Sequence, residues 1–218
     1  MNKIEETLEK IQAYPAIPVY YHADADTCLN VLKACHAGGI RVFEFTDRGE
    51  NALHNFSLLL EYRDQYLPDL KLGIGTIKTT EKALEYILAG ADFMVSPIFK
   101  ASLAELASEH QLLWIPGCMT PTEIGMAEDA GAALVKLFPG DTLGPGFLKA
   151  VRPLFPQLQF MPTGGVGLGK ESIESWLNAG VTALGFGSKL FEQAETPNGD
   201  YSWLSKRCST VLEMLNRK

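Results

Sequence analysis

A lysine and a glutamate stand inside stretches that otherwise read as buried strand. Lys136 interrupts Ala-Ala-Leu-Val-Lys-Leu-Phe (132–138), and Glu44 interrupts Val-Phe-Glu-Phe-Thr (42–46). A charge enclosed by large apolar neighbours must be paired or be given up. An amine without its charge has a lone pair free to attack a carbonyl carbon. A carboxyl in the same surroundings suits proton transfer. A plainer reading fits the same positions, in which Lys136 and Glu44 only neutralise each other. Position alone leaves both open, and both can hold at once.

Arg48 follows Glu44 closely, and two glycine-bearing segments, Thr163-Gly164-Gly165 and Gly187-Ser188, lie further on. Glycine lets backbone N–H groups approach an anion, and a neighbouring hydroxyl adds a donor. Tight turns alone would also call for glycine there.

The elements that must position these groups are short apolar runs alternating with helical patterns. The runs are Ile17–Tyr21, Ile40–Phe45, Leu72–Gly75, Phe93–Val95, Leu113–Ile115, Leu134–Phe138, Gln159–Pro162 and Ala183–Phe186. Near-continuous apolar strands separated by helices predict a parallel sheet covered by helices. Eight such units without a long linker predict a (βα)8 TIM barrel, an α/β fold, as one domain over 1–218. Met1–Tyr14 reads as an N-terminal amphipathic helix and Tyr201 to about Asn216 as a C-terminal one, preceded by a polar loop at Glu195–Asp200.

Punctuation supports this frame. Asp24 or Asp26 can cap a helix running to Ala37, with Gly38-Gly39 as its stop. Thr120-Pro121-Thr122-Glu123 has the form of a capping box, and Ala-Gly stops recur at Gly90, Gly131 and Gly180. In a barrel of this kind the active site lies at the carboxyl ends of the strands. Reading those ends gathers Glu44, Arg48, Thr76, Ser96-Pro97, Gly117, Lys136, Thr163-Gly164-Gly165 and Gly187-Ser188 on one face. The glycine segments then follow strands seven and eight, the usual phosphate position of the fold.

Other signals carry less. Gly164–Lys170 spells G-x-x-x-x-G-K, but Glu171 stands where a nucleotide P-loop needs a hydroxyl for magnesium. Gly73-Ile74-Gly75 lacks the third glycine of a dinucleotide fingerprint. His22, Asp24 and Asp26 alternate as metal ligands can, though helix-capping aspartates explain them more simply. Trp114, Trp176 and Trp203 read as core or interface aromatics, and His36, His54 and His110 show no ligand spacing. The net charge of −7 argues against a nucleic-acid partner, which calls for a basic surface. No C-x-x-C pair occurs among the four cysteines (Cys28, Cys35, Cys118, Cys208), no apolar run is long enough to span a bilayer, and the N-terminus has no signal-peptide core. The expectation is a soluble cytoplasmic protein with reduced thiols.

With these residues in place, the chain resembles the 2-keto-3-deoxy-6-phosphogluconate (KDPG) aldolase family, which includes 4-hydroxy-2-oxoglutarate aldolases. The likeness runs from about Ile17 to Phe191. It rests on Ala-Gly-Gly-Ile-Arg-Val-Phe-Glu-Phe-Thr (37–46) with Arg48, Gly-Ile-Gly-Thr (73–76), Ser96-Pro97 and Pro-Gly-Cys-Met-Thr-Pro-Thr-Glu (116–123). Val-Lys-Leu-Phe-Pro (135–139), Pro-Thr-Gly-Gly-Val (162–166) and Gly187-Ser188 complete it. Together, in order, they are specific.

The resemblance implies a metal-independent class I aldolase without a cofactor, acting on a small, phosphorylated keto acid and assembled as a homotrimer. Lys136 matches the imine-forming lysine and Glu44 the general acid/base. Arg48 and Thr76 match the substrate-carboxylate site, Gly164, Gly165 and Ser188 the phosphate grip with Thr163 and Gly187 beside them, and Phe138 and Pro97 the walls around the substrate. Three features depart from the pattern: Asp47 and Glu50 add negative charge beside Arg48, Lys189 stands where an aromatic is frequent, and nothing from Glu192 onward matches a family motif. The rival readings are another phosphate-binding barrel enzyme, such as a sugar-phosphate epimerase or a thiamine-phosphate-synthase-like protein, and a catalytically silent sugar-phosphate sensor.

Overall fold

Asn2 starts the first helix, α1 (Lys3–Ala13): its side chain accepts from the Glu5 N–H while the Glu5 carboxylate accepts from the Asn2 N–H. The computed structural model describes residues 2–192 and 199–216, so Met1 and most of the expected loop Glu195–Asp200 lie outside the described residues.

Strand and helix then alternate as β1 (Ala16–Tyr20), α2 (Ala25–Ala37), β2 (Val42–Thr46), α3 (Ala52–Tyr66), β3 (Lys71–Gly75), α4 (Thr80–Ala89), β4 (Phe93–Val95) and α5 (Ala101–Glu109). They continue as β5 (Leu113–Ile115), β6 (Gly117–Cys118), α6 (Pro121–Asp129), β7 (Leu134–Leu137), α7 (Gly140–Val151) and β8 (Gln159–Pro162). The described chain ends with α8 (Lys170–Leu177), β9 (Leu184–Phe186), α9 (Ser188–Phe191) and α10 (Ser202–Leu215).

The helix boundaries follow the expected chemistry. Asp24 caps α2, accepting from the Thr27 N–H at 2.8 Å and from its hydroxyl at 2.6 Å. Thr120 and Glu123 form the capping box of α6, with Pro121 at its first helical position. Gly90, at φ +110, ends α4 in the left-handed conformation that a side chain would strain. Gly38 has a different reason: a Cβ there would lie 2.4 Å from the Ser205 carbonyl and 2.7 Å from the Cys208 Cβ, so α10 packs directly on the end of α2.

The strands form a curled, parallel sheet system. Six hydrogen-bond in the order β5-β4-β3-β2-β1-β9, and β6-β7-β8 form a second sheet. The eight expected runs are therefore nine segments. The fifth run, Leu113–Ile115, forms β5 and pairs with β4; beyond Pro116, which carries no N–H for the ladder, a further short segment, β6, pairs with β7. The second run starts at Val42, later than the expected Ile40, because Arg41 turns its guanidinium back onto the carbonyls of His36 and Ile40. The sheet edges meet at particular bonds. The Lys136 N–H donates to the Pro116 carbonyl at 2.8 Å, the Thr182 N–H donates to the Phe160 carbonyl at 2.9 Å, and Thr163 bridges Gly185.

Alternation along each strand separates two apolar layers. Phe43, Phe45, Val135 and Leu137 face the helices. Ile17, Val42, Phe93, Val95, Leu113, Leu134 and Met161 face inward, with Ile11 of α1 buried against them. Glu44 shares the side of Val42, and Lys136 that of Leu134. Both therefore point inward, one layer nearer the carboxyl ends.

Candidate active site

Glu44 and Lys136 meet at the centre of this interior. The Lys136 Nζ donates to Glu44 Oε1 at 3.2 Å, with Glu44 fully buried and Lys136 5% exposed. The structure realises the ion pair that sequence position left as one of two readings, and that pair is compatible with chemistry at the lysine. Glu44 Oε2 has no hydrogen-bond partner among the described residues. A buried carboxylate oxygen without a donor is a place where water or a substrate hydroxyl would bind.

Small residues create the room. A Cβ on Gly75 would lie 2.0 Å from Glu44 Oε1, so the carboxylate occupies the volume that a side chain on β3 would take. One layer down, a Cβ on Gly73 would strike the Phe93 ring at 2.3 Å. Across the interior, Gly185 leaves space for Thr163, whose Oγ1 a Cβ would meet at 2.1 Å. That hydroxyl is also buried and unpartnered.

Above the pair lies a cavity of about 300 Å³ lined by Arg48, Thr76, Pro97, Lys136, Phe138, Thr163, Gly164, Gly165, Gly187 and Ser188. Of the residues expected on this face, Glu44, Ser96 and Gly117 do not line the wall and the others do. Glu44 is hydrogen-bonded to Lys136, which is a lining residue. Val19, Val166 and Lys189 also line the cavity and were not among the expected site residues. Inward alternation from Ile17 could have found Val19, whereas Val166 and Lys189 depend on loop paths.

The groups occupy distinct sides. Arg48 is exposed just past β2, and no acid among the described residues pairs with it. Thr76, at the end of β3, holds φ +67, a strained conformation for a residue with a branched side chain. The Phe138 ring centroid lies 5.4 Å from the Lys136 Nζ, and a cis peptide bond joins Phe138 to Pro139. Gly164 and Gly165 take φ +94 and +68. Their loop is tied to the segment after β7 by the Gly140 N–H on the Thr163 carbonyl at 2.8 Å and the Asp141 N–H on the Gly164 carbonyl at 2.9 Å.

Asp47, expected to bring negative charge to Arg48, is drawn aside: the Tyr86 hydroxyl donates to its Oδ1 at 2.8 Å. Burial first, and the Asp47 carboxylate next, push the Tyr86 phenol well above its ordinary range, so it remains a donor. On the other side of Arg48, a Cβ on Gly49 would lie 2.0 Å from the Tyr21 hydroxyl, so Tyr21 packs against the bare backbone there.

The remaining sequence signals resolve simply. Asp24 is a cap, with the His22 Nδ1 accepting from its N–H at 3.1 Å. Lys170 opens α8 at the surface and pairs with Glu174. Trp114 is buried and donates to Ser96 Oγ at 2.9 Å. His36 contacts Asp69 at 2.8 Å. Cys28, Cys35, Cys118 and Cys208 are free, buried thiols. No helix among the described residues is long and apolar enough to cross a membrane.

Comparison with known proteins agrees with this geometry. The family model described as KDPG and KHG aldolase matches residues 5–206. A 2-dehydro-3-deoxy-phosphogluconate aldolase of Haemophilus influenzae is 32% identical over 213 residues, 97% of each chain. A KHG/KDPG aldolase of Escherichia coli is 30% identical over 200 residues, 91% of each. Among solved structures, the KDPG aldolase of Legionella pneumophila, with pyruvate captured at low pH as a covalent carbinolamine intermediate, superposes with a TM-score of 0.84 at 30% identity, covering 94% of this chain and 97% of that one. A match over nearly the whole sequence places this chain in the KDPG and KHG aldolase family.

Proposed function

We propose that the chain is a class I aldolase that cleaves KDPG to pyruvate and glyceraldehyde 3-phosphate, and 4-hydroxy-2-oxoglutarate to pyruvate and glyoxylate, through an imine on Lys136. The observation that carries this reading is the Lys136–Glu44 pair: a buried amine 3.2 Å from a buried carboxylate, opening into a cavity with a guanidinium on its wall.

A proton passing from Lys136 to Glu44 leaves a neutral amine, which attacks the C2 carbonyl carbon of the keto acid. Glu44 returns the proton as the carbinolamine loses water, and a protonated imine results. Arg48 and Thr76 hold the C1 carboxylate, the guanidinium through paired hydrogen bonds. Glu44 then takes the proton of the C4 hydroxyl while the C3–C4 bond breaks and its electron pair enters the imine. The aldehyde leaves, the enamine is protonated at C3, and hydrolysis releases pyruvate and the amine. The imine is the electron sink, so this scheme assigns no step to a metal ion or cofactor. Gly164, Gly165, Gly187 and Ser188 hold the phosphate, with Thr163 beside them, while Pro97 and Phe138 wall the keto acid. Holding both substrate ends keeps the C4 hydroxyl at Glu44.

In the same reading the two sheets are arcs of one closed (βα)8 barrel over 1–218, with the bonds at Pro116, Thr182 and Thr163 as its seams. The homotrimer and the cytoplasmic location follow the family resemblance and the free thiols.

The test is a lyase assay that follows pyruvate release from KDPG and from 4-hydroxy-2-oxoglutarate, with inorganic phosphate as competitor. Turnover of both, with phosphate competing against KDPG, supports the reading. Absence of pyruvate from either substrate refutes it and favours the silent sensor.

A further inference from the structure

Lys189 reaches back from α9 to the loop after β8, where its Nζ donates to the Gly165 carbonyl at 2.9 Å. Both residues line the cavity, together with Gly164, Gly187 and Ser188. An ammonium has three N–H donors, and this contact uses one. No carboxylate among the described residues pairs with Lys189. The acid beside this loop is Asp141, against whose carboxyl Gly165 lies so closely that a Cβ would be 2.5 Å from Oδ2. Asp141 does not line the cavity, whereas Lys189 does and brings a positive charge to its loop side.

Three cations line the cavity: Arg48, Lys136 and Lys189. Arg48 follows β2 and Lys136 lies on β7, at the keto-acid end, whereas Lys189 in α9 stands beside the two glycine-bearing loops. In KDPG the phosphate lies two carbons beyond C4, while in 4-hydroxy-2-oxoglutarate the second carboxylate sits directly on C4. A cation fixed at the loops thus meets the far phosphate, and a dianion gains more from it than a monoanion does. We infer that Lys189 is a specificity-determining residue, one that tilts this aldolase towards substrates ending in a dianionic phosphate while it ties the two loops together. The inference rests on the aldolase reading above.

The test pairs Lys189→Met, which keeps the stem and removes the charge, with Lys189→Arg, which keeps the charge. Steady-state kinetics on KDPG and on 4-hydroxy-2-oxoglutarate give the ratio of the two kcat/KM values, and calorimetric titration gives the affinity for inorganic phosphate. Removing a hydrogen-bonding charge from the loops lowers the ratio roughly tenfold, with the loss in KM for KDPG, and weakens phosphate to a similar degree. Lys189→Arg restores most of both. An unchanged ratio, or equal losses on the two substrates, overturns the inference and leaves Lys189 as a tie between loops. The phosphate titration keeps the two ideas separable: wild type that binds phosphate through Lys189 but forms no imine with pyruvate would sink the aldolase reading alone.

Discussion

Replacing Gly75 with alanine perturbs the site without replacing any reacting group. The added methyl would lie 2.0 Å from Glu44 Oε1, 2.7 Å from its Cδ and 2.8 Å from its Cγ, all inside the 3.0 Å that real Cβ atoms respect. Glu44 is fully buried, so the carboxylate has no solvent to retreat into and must move about 1 Å, along with its bond to Lys136. A misplacement of that size costs on the order of 10²-fold in turnover, and overpacking a core costs about 1–3 kcal/mol of stability. Gly73→Ala is the matched control. Its methyl would strike the Phe93 ring at 2.3 Å, which overpacks the same interior without meeting Glu44. Both variants are expected to melt lower by similar amounts, while kcat for KDPG falls about a hundredfold in Gly75→Ala and far less in Gly73→Ala. Pyruvate trapping on Lys136 persists in Gly75→Ala, because the amine itself is intact. A Gly75→Ala enzyme that folds and turns over like wild type would refute the assignment of proton transfer to Glu44, as would equal kcat losses in the two variants.

Three further outcomes follow from the same geometry. Lys136→Met leaves the Glu44 carboxyl buried without its cation and is expected to cost about 3 kcal/mol in denaturant unfolding, much of it recovered in the double variant with Glu44→Gln; additive losses would mean that the pair is not coupled. Tyr86→Phe frees Asp47 to approach Arg48, so KM for both keto acids is expected to rise a few-fold with little change in melting temperature, and an unchanged KM would show that Asp47 is held by other means. Asp24 titrates with the fold: the Thr27 hydroxyl first, then its backbone N–H, hold the carboxyl below the ordinary value of 3.8. A depressed pKa contributes stability that is complete above the unfolded value and is lost as pH falls through the folded one. The fall in melting temperature below about pH 4 is therefore expected to be shallower in Asp24→Asn than in wild type, and identical slopes would remove the cap from the acid response.

Much of the chemistry was legible because it breaks a pattern. Lys136 and Glu44 are conspicuous as charges in apolar strands, and period-two alternation sends both to the same interior. Asp24, Thr120 and Gly90 were legible because caps are local and need only a few neighbouring residues. What depends on cross-strand register was not legible. Gly73, Gly75 and Gly185 read as ordinary strand glycines, and only the pairing of β3 with β2 and β4 and the bridge between Thr163 and Gly185 show whose side chains fill their places. The segment β6 beyond Pro116 was not legible, because two residues are too few to show a strand's alternation. The charge at Asp47 was visible and its meaning was not, since its partner Tyr86 lies a strand and two helices away.

The central claim is covalent, and one experiment reads it directly: borohydride reduction of the full chain with excess pyruvate, followed by peptide mass mapping. The account predicts a reduced pyruvate adduct on the peptide carrying Lys136, absent from Lys136→Met. Folded wild-type protein that gains no adduct, or gains it on another lysine, would contradict it.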